Sequence, residues 1–110
     1  VDVKKKLNEI LLQRVFWTSV DVSNGTKNAR RQQQLKNRGV KTGFPDAFMM
    51  WQDGGLKALC IELKFGSGGV SDEQIKIHKE LAVLGVPTAV CWSVEDVLHA
   101  LDVYDVPTII

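Results

Sequence analysis

Cysteine is scarce in this chain, and its two cysteines form no recognisable pattern. Cys60 and Cys91 lie in separate apolar runs, neither in a C-x-x-C pair nor beside a clear histidine partner. We therefore expect two buried free thiols in a reducing compartment. No apolar run approaches the roughly 20 residues that a membrane-spanning helix needs. The first residues also lack the apolar segment of a signal peptide, so we expect a cytoplasmic protein.

Acidic residues are absent from one long segment, residues 23–44. The formal net charge of the whole chain is only +1, so the remainder of the chain is acidic. A segregated basic segment of this kind indicates either a patch for an anionic partner or an ordinary solvated helix face, and composition does not separate the two. Its six cations are Lys27, Arg30, Arg31, Lys36, Arg38 and Lys41.

Repeats, low-complexity tracts and long linkers are also missing, and 110 residues with 45% hydrophobic content fit one globular domain over residues 1–110. Periodicity and turn residues predict an α/β fold in the order α-β-α-β-β-α-β-α, with a small mixed sheet flanked by helices. The last two strands and the helix between them form a βαβ unit, so these strands should be parallel. The predicted helices span residues 3–16, 26–38, 72–84 and 93–101, and the strands span 18–22, 46–51, 56–64 and 87–92.

Two charges interrupt the apolar strand "ALCIELKF". Alternation of side chains places Glu62 and Lys64 on one face of this strand, where an unpaired carboxylate would be costly. The turn Asp53-Gly54-Gly55 predicts an antiparallel hairpin that brings Asp46 close to both. Two carboxylates and an ammonium group at a sheet edge suit Mg²⁺ or Mn²⁺ and a phosphate. The alternative is a structural ion pair at the end of the hairpin.

Three stretches carry a resemblance to a known family: "NRGVKTGFPDAFMMW", "CIELKFGSGGVSDEQ" and "LAVLGVPTAVCWS". Pro45-Asp46 followed by Glu62-Leu63-Lys64 resembles the PD-(D/E)xK nuclease motif. Together with its surroundings, over residues 7–101, the chain resembles the virus-type replication-repair nuclease (VRR-NUC) domain. The resemblance implies a restriction-endonuclease-like core and hydrolysis of DNA phosphodiester bonds that depends on Mg²⁺ or Mn²⁺.

The same resemblance assigns roles to individual residues. Asp46 and Glu62 would bind the metal together with the main-chain carbonyl of Leu63, and Lys64 would position the attacking water. Gln74 matches the motif glutamine of the family, although it also occupies the N3 position of a capping box that begins at Ser71. Glu9 matches the glutamate of the first helix, a catalytic residue that would bind a metal directly or through water; the alternative is an ordinary exposed helical residue. His78 and His99 are interpreted as surface or packing residues.

The resemblance also implies partners. DNA is the expected substrate, with branched or junction DNA favoured. The basic segment would bind the phosphates of the DNA backbone, so we expect the protein to recognise the shape of the DNA rather than its base sequence. Standalone members resemble Holliday junction resolvases, which predicts a homodimer in a bacterial or phage-infected cell. Trp17, Trp51 and the apolar tail from Val103 to Ile110 are candidates for its interface. The alternatives are a flap or nicking nuclease, a nuclease subunit of a repair or restriction system, and a catalytically silent DNA-binding module.

Overall fold

A computed structural model describes residues 3–12, 14–20, 30, 34, 39 and 41–109. Its described part contains four strands and three helices. They are α1 (Val3–Ile10), β1 (Phe16–Ser19), β2 (Ala47–Gln52), β3 (Leu56–Leu63), α2 (Asp72–Val83), β4 (Thr88–Cys91) and α3 (Val94–Val103). None of the helices in the described part is long and apolar enough to cross a membrane.

The strands form one mixed sheet in the order β1-β2-β3-β4. The hairpin of β2 and β3 is antiparallel, with Ala47 opposite Ile61 and Gln52 opposite Leu56, as the Asp-Gly-Gly turn predicts. The pairing of β3 with β4 is parallel, which confirms the predicted βαβ unit. Both edge strands, β1 and β4, are only four residues long.

Alternation along the strands divides the sheet into two faces. Met49, Leu59 and Ile61 are fully buried in a core that also contains Leu7 of α1 and Val97 of α3. The opposite face carries Cys60 and Glu62, and α2 lies against it, because Gln74 and His78 of this helix contact Glu62. The expected cover of helices on both sides of the sheet is therefore confirmed.

The predicted first helix, residues 3–16, is too long. α1 ends at Ile10, the chain turns through a hydrogen bond from Val15 N–H to Leu12 C=O, and Phe16 already belongs to β1. Val15 is buried, but it lies in this turn and not in the helix. Its spacing from the apolar residues of α1 fits a helical pattern although the helix has already ended. The strand predicted at residues 18–22 accordingly begins earlier and ends at Ser19.

The helix predicted over residues 26–38 lies mostly outside the described residues. Within it the structure describes Arg30 and Gln34, which are both helical and exposed. The other predicted elements are found within two residues of their expected bounds.

Two predicted interface residues have other roles. Trp51 is 4% exposed and belongs to the core, because it lies on the same face of β2 as Met49, so it is not available to a partner. Trp17 packs partly against the same core. The C-terminal tail folds back onto the end of α1, where Ile109 N–H donates to Ile10 C=O and Leu12 N–H donates to Pro107 C=O. Part of the apolar tail thus stabilises the domain itself.

Candidate active site

The register of the hairpin places Asp46 beside Glu62. Ala47 pairs with Ile61, so the residue before β2 comes next to the residue after Ile61. Asp46 is fixed at two points, since its Oδ2 accepts a hydrogen bond from Leu63 N–H at 2.7 Å and its C=O accepts one from Val20 N–H at 2.7 Å. The two carboxylates of the predicted motif therefore meet where β2 begins and β3 ends, at one end of the two central strands.

Glu62 is a charged residue inside the protein, with only 2% of its surface exposed. Burial raises the pKa of Glu62 from its ordinary value to about 8, and a hydrogen bond and charge repulsion from Asp46 act in the same direction, whereas Lys64 lowers it. Two adjacent carboxyl groups cannot both ionise at low cost, so at neutral pH the protonated form of Glu62 is favoured. A divalent cation placed between the two groups would remove this cost.

Gln74 connects Lys64 to Glu62. Its Oε1 accepts a hydrogen bond from Lys64 Nζ at 2.6 Å, and its Nε2 donates to Glu62 Oε2 at 3.2 Å. The same Oε1 accepts a hydrogen bond from Ser71 N–H at 2.9 Å, which completes a capping box at the start of α2. The two interpretations of Gln74, a residue at the site and a helix cap, are therefore compatible in geometry. Two donors on one amide oxygen fix the orientation of the side chain.

Gly43 sets the distance between the loop before Asp46 and the start of α2. Its φ angle is +86°, and a Cβ atom built there would lie 2.9 Å from the carbonyl carbon of Glu73 and 3.0 Å from Gln74 N. Since both are backbone atoms, a side chain at this position would push α2 away. Pro45 is fully buried next to it. The "GFPD" stretch thus holds Asp46 and Gln74 in register with each other.

His78 is a contact of the site that the sequence interpretation did not assign. Its Nε2 lies 3.3 Å from Glu62 Oε1, and its side chain is 16% exposed. Burial lowers the pKa of His78, and the nearby Lys64 lowers it further, so the neutral ring is favoured. The signal was present in the sequence, because His78 follows Gln74 by four residues on α2 and so shares its face.

The donor set fits a metal that keeps much of its own hydration. Among the described residues, no group of three or more His, Cys, Asp or Glu side chains is arranged to hold a metal ion. Mg²⁺ is, however, commonly bound by one or two carboxylates, with waters and substrate phosphate oxygens completing the shell. Asp46 and Glu62 match this arrangement. Leu63 lies between Glu62 and Lys64 at the end of β3. Glu9 is exposed on α1 and does not form a group of three metal-binding carboxylates with Asp46 and Glu62.

Of the six cations in the basic segment, the structure describes two. Arg30 and Lys41 are exposed. The other four predicted DNA contacts, Lys27, Arg31, Lys36 and Arg38, lie outside the described residues. His99 is exposed on α3, and Cys60 and Cys91 are free and buried, all three as expected.

Comparisons with known proteins agree on the type of domain. The family model of the VRR-NUC domain matches residues 2–95. A solved structure described as a VRR_NUC domain protein superposes with a TM-score of 0.61 at 19% sequence identity, covering 84% of this chain and 70% of that one. At this identity the structural match concerns the fold alone. No curated protein matches the sequence.

Proposed function

The chain belongs to the VRR-NUC domain family, whose members have nuclease domains of the PD-(D/E)xK type, and on this premise we propose that it is a Mg²⁺- or Mn²⁺-dependent DNA endonuclease. The observation that supports this proposal most strongly is that Asp46 lies beside buried Glu62 at the end of the central hairpin. Lys64 is held at the same place by a hydrogen bond to Gln74. A purely structural ion pair would need neither the second carboxylate nor the glutamine.

In the proposed site, Asp46 and Glu62 would hold the cation, with the main-chain carbonyl of Leu63 as a further ligand, and Glu9 would bind it directly or through water. Once bound, the cation would neutralise charge that develops on the scissile phosphate and make a bound water more acidic. Asp46 is well suited to this role because its hydrogen bond with Leu63 N–H fixes the side chain before any ligand arrives. Such preorganisation reduces the cost of assembling the site.

Lys64 orients the attacking water and stabilises the negative charge of the phosphate. Gln74 accepts a hydrogen bond from its ammonium group at 2.6 Å, which restrains the position of Lys64. Removal of the charge would leave the carboxylates in place but weaken the interaction with the transition state. We assign Gln74 the role of orienting Lys64 and Glu62 together.

His78 is proposed to orient Glu62. The imidazole contacts Oε1 of Glu62 and Gln74 contacts Oε2, so the rotation of the carboxylate is restrained from both sides. Groups of this kind, which touch a ligand rather than the metal, commonly change metal affinity by about 10- to 100-fold.

We propose branched or junction DNA as the substrate and a homodimeric Holliday junction resolvase as the specific activity. The basic segment supports a phosphate-binding surface, since Arg30 and Lys41 are exposed. Symmetric cutting of two strands requires two active sites, hence two copies of a domain that carries one. A flap or nicking nuclease, a nuclease subunit of a repair or restriction system, and a silent DNA-binding module are the alternative outcomes of the test.

The test is cleavage of supercoiled plasmid and of synthetic four-way junctions with Mn²⁺, Mg²⁺ or EDTA. Asp46→Asn and Lys64→Ala should each abolish cutting while the circular dichroism spectrum is retained. Asp53→Asn, an exposed aspartate in the turn at the other end of the hairpin, is the matched control and should cut normally. Binding without cutting by the wild type would indicate the silent module. Unpaired or single nicks in junctions would indicate the flap or nicking nuclease.

A further inference from the structure

A small cavity opens beside Lys64 on the face of β3 opposite Glu62. Its volume is about 300 Å³, and its walls include Leu63 and Cys91, which are register partners in the parallel pair of β3 and β4. Because side chains alternate along a strand, these two residues point away from the carboxylate side of the sheet. Lys64, which follows β3, also lines the cavity, so the cavity lies at the same end of the strands as the proposed site but on the other face of the sheet.

Two exposed aromatic side chains border this cavity. Phe65 is 84% exposed and Trp92 is 49% exposed, and each follows the end of one of the two parallel strands. A hydrogen bond of 2.9 Å from Lys64 N–H to Cys91 C=O ties these strand ends together. The two rings therefore flank one cavity on a rigid support. We call this cavity the aromatic notch; besides Leu63, Lys64, Phe65, Cys91 and Trp92, its walls include Val3 of α1 and Ser93, Val94 and Glu95 at the start of α3.

We propose that the aromatic notch receives an unstacked nucleobase of the DNA strand that is cut at the neighbouring site, an inference that rests on the proposed function. The occupant follows from position and size. Lys64 faces the phosphate in the proposed site, and the base of an adjacent nucleotide is the next part of a DNA strand to reach a cavity that shares this lysine. The volume is at the lower end of the range for small-ligand sites, which suits one base better than a protein segment.

The substrate class follows from the same geometry. A base inside uniform duplex is stacked and paired, and removing it from the stack costs energy, whereas a base at a branch, flap or mismatch is already free. Stacking on aromatic rings accepts any base, because every base has a flat face. The aromatic notch would therefore select DNA with unpaired bases next to the cut, without selecting a sequence.

The first experiment compares cleavage of a branched duplex that has unpaired bases at the junction with cleavage of a uniform duplex of the same sequence. The Phe65→Ala/Trp92→Ala double variant should lose about 10- to 100-fold on the branched substrate and less than about threefold on the uniform duplex. Phe16→Ala is the control, since this aromatic is 60% exposed on the opposite edge strand. It should keep the wild-type ratio of the two rates. Trp92→Phe retains a ring and should keep most of the preference.

The second experiment does not depend on cleavage. A 2-aminopurine at the unpaired position, measured in EDTA, should be quenched by the wild type and by Phe16→Ala but not by the double variant. If the wild type cuts no DNA, the proposed function fails, whereas the quenching still tests the notch. If the wild type cuts and the double variant retains its preference and its quenching, the notch proposal is wrong. Loss of a dimer in light scattering, with quenching unchanged, would instead assign the two rings to contact between copies.

Discussion

Replacement of Glu62 by glutamine should stabilise the metal-free protein while it destroys the proposed site. The pKa of Glu62 is raised from 4.5 to about 8 because the group is buried beside Asp46. Between these two pH values the unfolded chain has released this proton and the folded protein retains it. The unfolded state therefore binds fewer protons, and stability falls as pH rises through this window. Glutamine has the same shape but cannot ionise, so the variant should escape this loss.

The magnitude follows from the shift. One pKa unit corresponds to about 1.4 kcal/mol, so near pH 7.5 the full effect would be about 4 kcal/mol. Coupling between the two carboxyl groups reduces what a single substitution recovers, so we expect about 2–4 kcal/mol. For a domain of this size, this is an increase of at least about 8 °C in Tm.

The assay is thermal unfolding in EDTA from pH 5 to pH 9. The wild type should lose stability towards pH 8, and Glu62→Gln should show a much flatter profile. Glu80→Gln, at an exposed glutamate on α2, is the control and should follow the wild type. Added Mn²⁺ should raise the Tm of the wild type, increasingly so at higher pH, but not that of Glu62→Gln. A wild-type profile that is flat or rises between pH 5 and 8 would show that the pKa of Glu62 is not raised in the folded protein.

Three further predictions concern the surroundings of the site. Gly43→Ala should cost at least about 2 kcal/mol more in urea unfolding than Gly39→Ala, because both glycines have φ +86° but only Gly43 would clash with α2; equal costs would contradict the proposed contact. His78→Ala should weaken Mn²⁺ binding about 10- to 100-fold in calorimetry, with partial recovery in His78→Gln, and unchanged affinity in both would remove His78 from the site. Burial raises the pKa of Cys60 to about 12 and that of Cys91 to about 11, so both thiols should react with Ellman's reagent at pH 8 only after unfolding; rapid reaction of the native protein would show that the strands open.

The essential part of the site could be predicted because it depends on local rules. A tight Asp-Gly-Gly turn fixes the register of the hairpin, and the register places Asp46 beside Glu62. The capping signal at Ser71 fixes the start of α2, which puts Gln74 at the same edge. The family resemblance implies the roles of these residues, whereas strand alternation and turn length determine where they lie.

Other features depend on contacts between distant parts of the chain. The end of α1 is set by the returning tail, where Leu11 bridges to Thr108, and no local signal at Val15 marks it. Trp51 was predictable as a core residue from alternation with Met49, and its assignment to an interface was an error of interpretation. The four-residue spacing places His78 on the same face of α2 as Gln74, but its contact with Glu62 also depends on how α2 packs on the sheet.

The most direct test of the account is anomalous diffraction from crystals soaked in Mn²⁺ at pH 8. We predict a manganese peak within coordination distance of a carboxylate oxygen of both Asp46 and Glu62, and no such peak in crystals of Asp46→Asn. A well-ordered wild-type site with no peak between these two side chains, or an unchanged peak in the variant, would show that Asp46 and Glu62 do not bind a cation together.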